Sequence, residues 1–267
     1  MKLRLLAAAA ITALLALAAP LASQDLSGLK EPISPDRPNF TNSPDTVAAG
    51  HLQVETGYTF TRKGPQKDSS LGELLLRYGI DERCEARLGL GSYHWIDTGV
   101  PGDRRISGFQ DPYAEVKVRL DEAEAEHRAP GVPALGLLVQ TTIPVGARAL
   151  TSDAWQPRAA LALSWDLTKS LSLDSNLGCA YLADSGERFT QCFASLSAGV
   201  QVNDKMNTFF EGLTFSKESA RGSSTQYLDT GLSYLVSNDV QLDVRIGAGL
   251  NSPRPNWFTG LGASVRF

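Results

Sequence analysis

From His51 onward, apolar and polar residues take turns along the chain. Leu52, Val54, Tyr58 and Phe60 alternate with Gln53, Glu55, Gly57 and Thr59. A period of two marks a strand with one apolar and one polar face. The pattern returns at Leu74, Leu76 and Tyr78, at Ala86, Leu88 and Leu90, and at Ala114, Val116 and Val118. It continues at Leu135, Leu137 and Val139, then at Ala159, Leu161, Leu163 and Trp165. The second half repeats it at Leu173, Leu177 and Tyr181, at Leu196, Ala198 and Val200, and at Leu228, Leu232 and Tyr234. Val240, Leu242, Val244 and Ile246 follow, and Leu261, Ala263 and Val265 come last. Residues 206–217 are ambiguous, because Phe209, Phe210, Leu213 and Phe215 fit neither face cleanly. The pattern predicts about 12 strands of roughly 9–13 residues, a length that crosses a bilayer when tilted. No convincing amphipathic helix interrupts them.

The connections alternate too. Those at 80–82, 166–170, 203–205 and 237–239 are short, whereas 62–70, 96–108, 144–154 and 217–224 are longer. Short turns at one end and long loops at the other fit an outer-membrane barrel. The stretch 121–132 is long for a turn, and the Ser185-Gly186 turn is short for a loop.

Two segments precede the strands. Lys2 and Arg4 open the chain, an apolar run covers 5–19, and small residues fill 18–23. This order is that of a secretory signal peptide, and the run is short of the roughly 20 residues a spanning helix needs. Residues 24–50 crowd Pro32, Pro35, Pro38 and Pro44 among Asp, Asn, Ser and Thr, which reads as an extended segment without its own core. The expected organisation is therefore signal peptide 1–23, extended N-terminal segment 24–50 and barrel 51–267. The expected fold is all-β: a closed antiparallel up-and-down transmembrane β-barrel, in the bacterial outer membrane after export.

Composition separates this reading from a soluble sandwich. A sandwich turns its polar face to water and favours Lys, Glu and Thr there. Here that face is rich in glycine, including Gly57, Gly89, Gly136, Gly178, Gly199, Gly231, Gly247 and Gly262. Glycine on an inward face suits a curved, crowded sheet. The formal charge of −4 argues against a nucleic-acid partner. Three Cys and three His show no metal-ligand spacing, and no cofactor motif is present.

The polar parity places Glu55, Glu73, Arg77, Glu85, Arg87, Asp111, Glu115, Lys117, Arg119 and Arg158 inside the barrel. It adds Asp174, Glu211, Asp229, Asp243, Arg245 and Arg266. Such residues either line a wet pore or act as ion-paired struts, and the pattern leaves both open.

Three stretches carry a resemblance. The first is Ile33-Ser34-Pro35-Asp36-Arg37-Pro38-Asn39-Phe40-Thr41, leading through Ser43-Pro44-Asp45 to Gly50-His51-Leu52-Gln53-Val54-Glu55. The second is Gly108-Phe109-Gln110-Asp111 with Thr142-Ile143-Pro144-Val145-Gly146. The third is Leu228-Asp229-Thr230-Gly231-Leu232 with Val240-Gln241-Leu242-Asp243. Together they resemble the outer-membrane transporter family named for the meta-pathway of phenol degradation. The second stretch departs from the expected Gly-X-Gly-Asp by carrying Gln110. The resemblance implies a barrel that passes small, often aromatic, solutes and implies no catalytic residue.

Candidate roles follow. Asp36 and Arg37 are candidates for a lumen plug, against a loose lead-in. The charged inward residues are candidates for the passage wall, against structural pairing. Cys179 and Cys192 are equidistant from the Ser185-Gly186 turn, which would place them opposite each other for a disulfide and leave Cys84 free. Export reaches an oxidising compartment. The expected partners are membrane lipid, a small-molecule solute and, through the last strand ending in Phe267, the barrel-assembly machinery. The expected function is a passive channel; a structural or adhesive barrel is the alternative. An outer-membrane lipase is the third reading. It needs a Ser activated by His. His51, His94 and His127 are the available bases; only His94, beside Ser92, is plausibly placed, and on the lipid-side parity.

Overall fold

A computed structural model describes residues 26–102, 105–121, 131–251 and 256–267. The proposed signal peptide, His127 and most of the 121–132 connection lie outside the described residues. Every regular element among the described residues is a strand. They are β1 (Leu52–Lys63), β2 (Gln66–Gly79), β3 (Cys84–Gly89), β4 (Tyr93–Asp97), β5 (Ile106–Phe109), β6 (Tyr113–Arg119) and β7 (Ala134–Thr142). The rest are β8 (Pro157–Asp166), β9 (Leu171–Asp184), β10 (Glu187–Asn203), β11 (Met206–Phe215), β12 (Thr225–Ser237), β13 (Val240–Gly249) and β14 (Asn256–Arg266). Each pairs antiparallel with its neighbours, and β1 pairs with both β2 and β14, so the sheet closes on itself. Closure leaves no continuous edge for lipid to meet.

The fourteen strands make twelve staves. β3 pairs with residues 75–79 of β2, and β4 pairs with residues 67–71 of the same strand. β6 lies against β3, and β5 lies against β4. The third and fourth staves are therefore each broken in two, at 90–92 and 110–112. Gly91, at φ +71°, supplies a left-handed residue at the first break. Pro112, which has no N–H to give a ladder, ends the second.

Two local readings are corrected. The stretch 62–70 is not a loop: β1 turns directly into β2 through Gly64 and Pro65. Residues 206–217 do form a strand with a defined face. Phe209, Glu211 and Leu213 are buried inward, and Phe210 is exposed outward.

The outer surface is apolar. Leu88, Val116, Val139, Leu161, Leu177, Leu196, Leu228 and Ile246 are all exposed. The fully buried side chains are instead polar, with Arg77, Lys117, Gln53, Glu55, Glu85 and Glu211 among the largest. A water-soluble domain buries the reverse set. This inversion is what a barrel in lipid requires.

Large inward rings need space, and glycine provides it. Tyr113, Phe193, Phe209 and Phe258 each sit directly opposite a glycine on the next strand: Gly89, Gly178, Gly231 and Gly247. A Cβ on any of those glycines would lie 2.1 to 2.6 Å from the ring. These pairs key adjacent staves together.

Candidate functional site

The N-terminal segment 26–50 lies inside the barrel. It enters at the short-turn end, where the Leu26 and Ser27 amides donate to Asp239 and the Ile33 amide donates to the Asn238 carbonyl. It then rises to Phe40, turns at Asn42 and returns to the wall, where the Val47 amide donates to Glu85. The segment has no strand of its own, so its backbone groups are satisfied by side chains of the wall. Arg77 donates to the carbonyls of Ser34 and Asp45, Lys117 to that of Asp45, and Gln241 to that of Arg37.

Asp36 is the centre of a buried knot. Its carboxylate lies 2.5 Å from Arg87, 3.2 Å from Lys117 and 3.7 Å from Arg77. Arg77 also reaches Glu55 at 2.9 Å and Glu85 at 3.0 Å. Arg87 reaches Glu115 at 2.5 Å. Burial alone would raise the Asp36 pKa, but Arg77, Lys117 and Arg87 reverse this and hold it well below the ordinary carboxylate range. Glu55 closes the knot by accepting from the Asp36 and Arg37 amides.

Arg37 points the other way. It pairs with Glu73 at 2.8 Å and Asp243 at 3.3 Å, and donates to the Leu261 carbonyl. Its guanidinium rests over Gly57 and Gly262, which face each other across β1 and β14. A Cβ there would lie 2.5 and 2.3 Å from it. Burial would lower the Arg37 pKa, yet Asp243 and Glu73 together raise it, so the cation is fixed.

Nearer the segment's tip, ion pairs give way to hydrogen bonds between wall side chains and neutral groups of the segment. Glu211 accepts from the Phe40 amide at 2.9 Å and the Thr41 amide at 2.6 Å, and from the Thr41 hydroxyl. Asn42 and Asn176 exchange two hydrogen bonds of 2.8 Å. Asp229 faces Glu211 across β11 and β12, and its buried carboxyl group has no hydrogen-bond partner among the described residues. Arg245 donates to the Pro38 carbonyl and lies 4.5 Å from the Phe40 ring centre. Asp174 is half-buried on β9, opposite Ser197.

Above the tip, toward the long-loop end, a cavity of about 330 Å³ remains. Phe40 and Phe258 contribute to it, with Leu213, Phe215 and Tyr227. The polar lining includes Thr59, Thr61, Ser70, Asp68 and His94. His94 Nδ1 lies 2.9 Å from Asp68.

Two placements differ from the sequence pattern. His94 is buried and faces this cavity rather than lipid, with Asp68 as its partner. The break at 90–92 shifts the parity by one, so β4 turns its even residues inward. Asp111 sits in the second break, not on the wall of a continuous strand. It accepts from the Gly146 and Ser152 amides and the Ser152 hydroxyl, pinning the 143–156 loop. Burial opposes its ionisation, but these donors prevail and lower its pKa. Arg158 lies over the Phe193 ring at 4.3 Å and not in the Asp36 knot. Cys179 and Cys192 are bonded across β9 and β10 on the outward face, and Cys84 is free.

The pattern missed Phe40, Thr41 and Tyr113. Phe40 and Thr41 lie in a segment without periodicity, and only the Asp36-Arg37 motif beside them marked the region. Tyr113 was detectable through Gly89, the residue it faces.

The model of the family described as "Putative MetA-pathway of phenol degradation" matches residues 35–267. An outer membrane channel from Pseudomonas putida F1 is similar in structure, with a TM-score of 0.64 at 16% identity, covering 88% of this chain and 100% of that one. The NanC porin gives 0.55 at 14% identity, covering 80% and 98%. The KdgM porin, solved in complex with disordered oligogalacturonate, gives 0.55 at 9% identity, covering 80% and 99%. No curated protein matches the chain.

Proposed function

We propose, for a chain that belongs to the family described as "Putative MetA-pathway of phenol degradation", that it is a passive outer-membrane channel for small solutes. One observation carries the reading. An apolar outer wall encloses a charged lumen, and that lumen holds a segment rather than a solid core. Buried ion pairs are a poor way to stabilise a barrel, because desolvation offsets most of their attraction. They are a good way to hold a removable segment, since its ion pairs and hydrogen bonds to the wall can be exchanged for water.

In this reading residues 26–50 act as a plug. Asp36 and Arg37 are its two latches. Glu55, Arg77, Arg87, Glu115, Lys117, Arg158, Asp174, Glu211, Asp229, Asp243 and Arg245 form the wall of the passage that opens when it withdraws. The aromatic rings above Phe40 favour aromatic or other largely apolar solutes. The outward Tyr93 ring lies 4.6 Å from that of Trp95 and 5.0 Å from that of Phe109, and the three anchor the long-loop end at the membrane interface. The short-turn end then faces the periplasm. The last strand, ending in Phe267, serves as the signal for barrel assembly. No step of bond-making is assigned to the chain.

Conductance in planar bilayers tests this. The folded protein is expected to give small, brief steps. A double variant, Asp36→Ala with Arg37→Ala, is expected to give larger and longer ones. Asp229→Ala is expected to change ion selectivity. A folded double variant that stays silent would leave a structural barrel as the better reading.

A further inference from the structure

On the outer wall, near the long-loop end, two cations stand side by side. Thr61 and Asp68 turn into the hollow cavity, so their chain neighbours Arg62 and Lys67 turn outward. Both are exposed, and they face each other directly across β1 and β2. Like charges in that position repel. Neither has a carboxylate within ion-pair distance among the described residues, and Arg62 donates to the Gly64 carbonyl. Asp97 stands opposite Lys67 on the other side, yet its carboxylate lies 3.9 Å from Arg105 and accepts from the Gly99 amide. The other acids close by are engaged elsewhere, Glu218 with Lys63 and Asp68 with His94 inside the lumen. Arg62, Lys67 and Arg105 therefore share the single outward carboxylate of Asp97.

Apolar surface adjoins this pair. Trp257 lies opposite Arg62 on β14, its ring 5.4 Å from that of Phe60. Aromatic rings of this kind mark the level of the lipid headgroups. Trp257 also lies opposite Ala248, at the start of an open groove of about 580 Å³ in the outer wall. The groove exists because Gly212 and Ala248 are small, while Leu228, Ile246 and Phe210 stand up around them. Glu211 and Asp229 border it as well, but their side chains are buried on the lumen side.

We infer that this face is a binding site for one phosphorylated lipid of the outer leaflet. Its phosphate bridges Arg62 and Lys67 and turns their repulsion into two charge-assisted contacts, for which a guanidinium fork is well shaped. One acyl chain runs past Trp257 into the groove. The leaflet follows from the short-turn end facing the periplasm, and the site requires no passage of solutes through the barrel.

Native mass spectrometry of the detergent-solubilised protein tests the site with lipid A, with dephosphorylated lipid A and with inorganic pyrophosphate. One lipid A molecule is expected to be retained in strong preference to its dephosphorylated form. The double variant Arg62→Gln with Lys67→Gln is expected to bind lipid A about 30-fold more weakly, since each cation near a membrane surface contributes about fivefold. Ala248→Leu fills the groove and is expected to weaken lipid A severalfold without touching the cations. Undiminished binding in the double variant, or equal retention of the two lipids, would overturn the site. Displacement of lipid A by an equal concentration of pyrophosphate would make the pair a free-phosphate site and overturn the lipid. Should the double variant fail to fold, the comparison of the two lipids on the unaltered protein decides the matter.

Discussion

The two halves of the lumen are built on opposite principles. Toward the short-turn end, Asp36 is surrounded by Arg77, Arg87 and Lys117, with Glu55 and Glu85 behind them. Toward the long-loop end, Phe40, Phe215, Tyr227 and Phe258 border an open cavity. The first half is filled and charged, the second hollow and mostly apolar. The same segment contributes to both, Asp36 and Arg37 to the one and the Phe40 ring to the other. The hollow half carries the Phe40 ring beside Asp68, His94 and Glu218, and Asp36 does not line it.

Removing a charge from the filled half has the largest expected effect. Arg77→Ala takes the nearest cation from the buried carboxylates of Glu55 and Glu85, while Asp36 keeps Arg87 and Lys117. Leaving such partners uncompensated costs about 3–5 kcal/mol. Urea unfolding in lipid vesicles is expected to show that loss. A loss below about 1 kcal/mol, on the scale of exposed pairs, would mean that water already fills the knot.

A smaller effect is expected where the two halves meet. Gly262→Ala places a methyl group 2.3 Å from the Arg37 guanidinium. The backbone of β14 is fixed by pairing on both sides, so Arg37 must yield. Overpacking of this kind costs about 1–3 kcal/mol. Here the plug bears the cost, so channel openings are expected to lengthen while the barrel's own unfolding changes little. Unchanged openings would show that Arg37 is not a latch.

Acid probes the same contrast without mutation. The Asp36 carboxyl is held below its ordinary 3.8. A depressed carboxylate contributes stability that is present above the unfolded value and lost as pH falls through the folded one. The plug is therefore expected to stay latched at neutral pH and to loosen only below about pH 4, as the carboxylate protonates. Conductance recorded from pH 7 downward should rise only below that point. A rise centred well above pH 4 would show that the Asp36 carboxylate is not what holds the segment.

The sequence made the two halves unequally legible. The charged half follows from period-two patterning, because Arg77, Arg87, Glu115 and Lys117 all lie on the parity of continuous strands. A strand's alternation survives wherever its ladder is unbroken. The hollow half borrows residues from β4, beyond a break that single-residue patterns do not register. The pattern alone thus assigns His94 to lipid and Asp68 to a loop. Phe210 against Phe209 was unreadable for another reason. Both neighbours are aromatic, and only the glycine at 231 marks which of them turns inward. Asp36 and Arg37 are legible through their motif, whereas the partners they select on six strands are a matter of tertiary register alone.

The hollow half admits the gentlest change and the sharpest discrimination. Phe215 lines the cavity beside Tyr227, their ring centres 6.3 Å apart, and makes no ion pair. Phe215→Leu keeps most of its volume, so stability is expected to fall by less than about 1.5 kcal/mol. The flat ring face is lost, and with it the stacking that an aromatic solute can use. Swelling of liposomes containing the variant is expected to show slower entry of benzyl alcohol and unchanged entry of an aliphatic alcohol of similar size. Charge plays no part in that difference, since the Glu218 carboxylate beneath Tyr227 remains paired with Lys63. Equal slowing of both alcohols would mean that Phe215 acts only as bulk. The rings would then be packing for the plug tip, and selectivity would have to reside in the charged half below it.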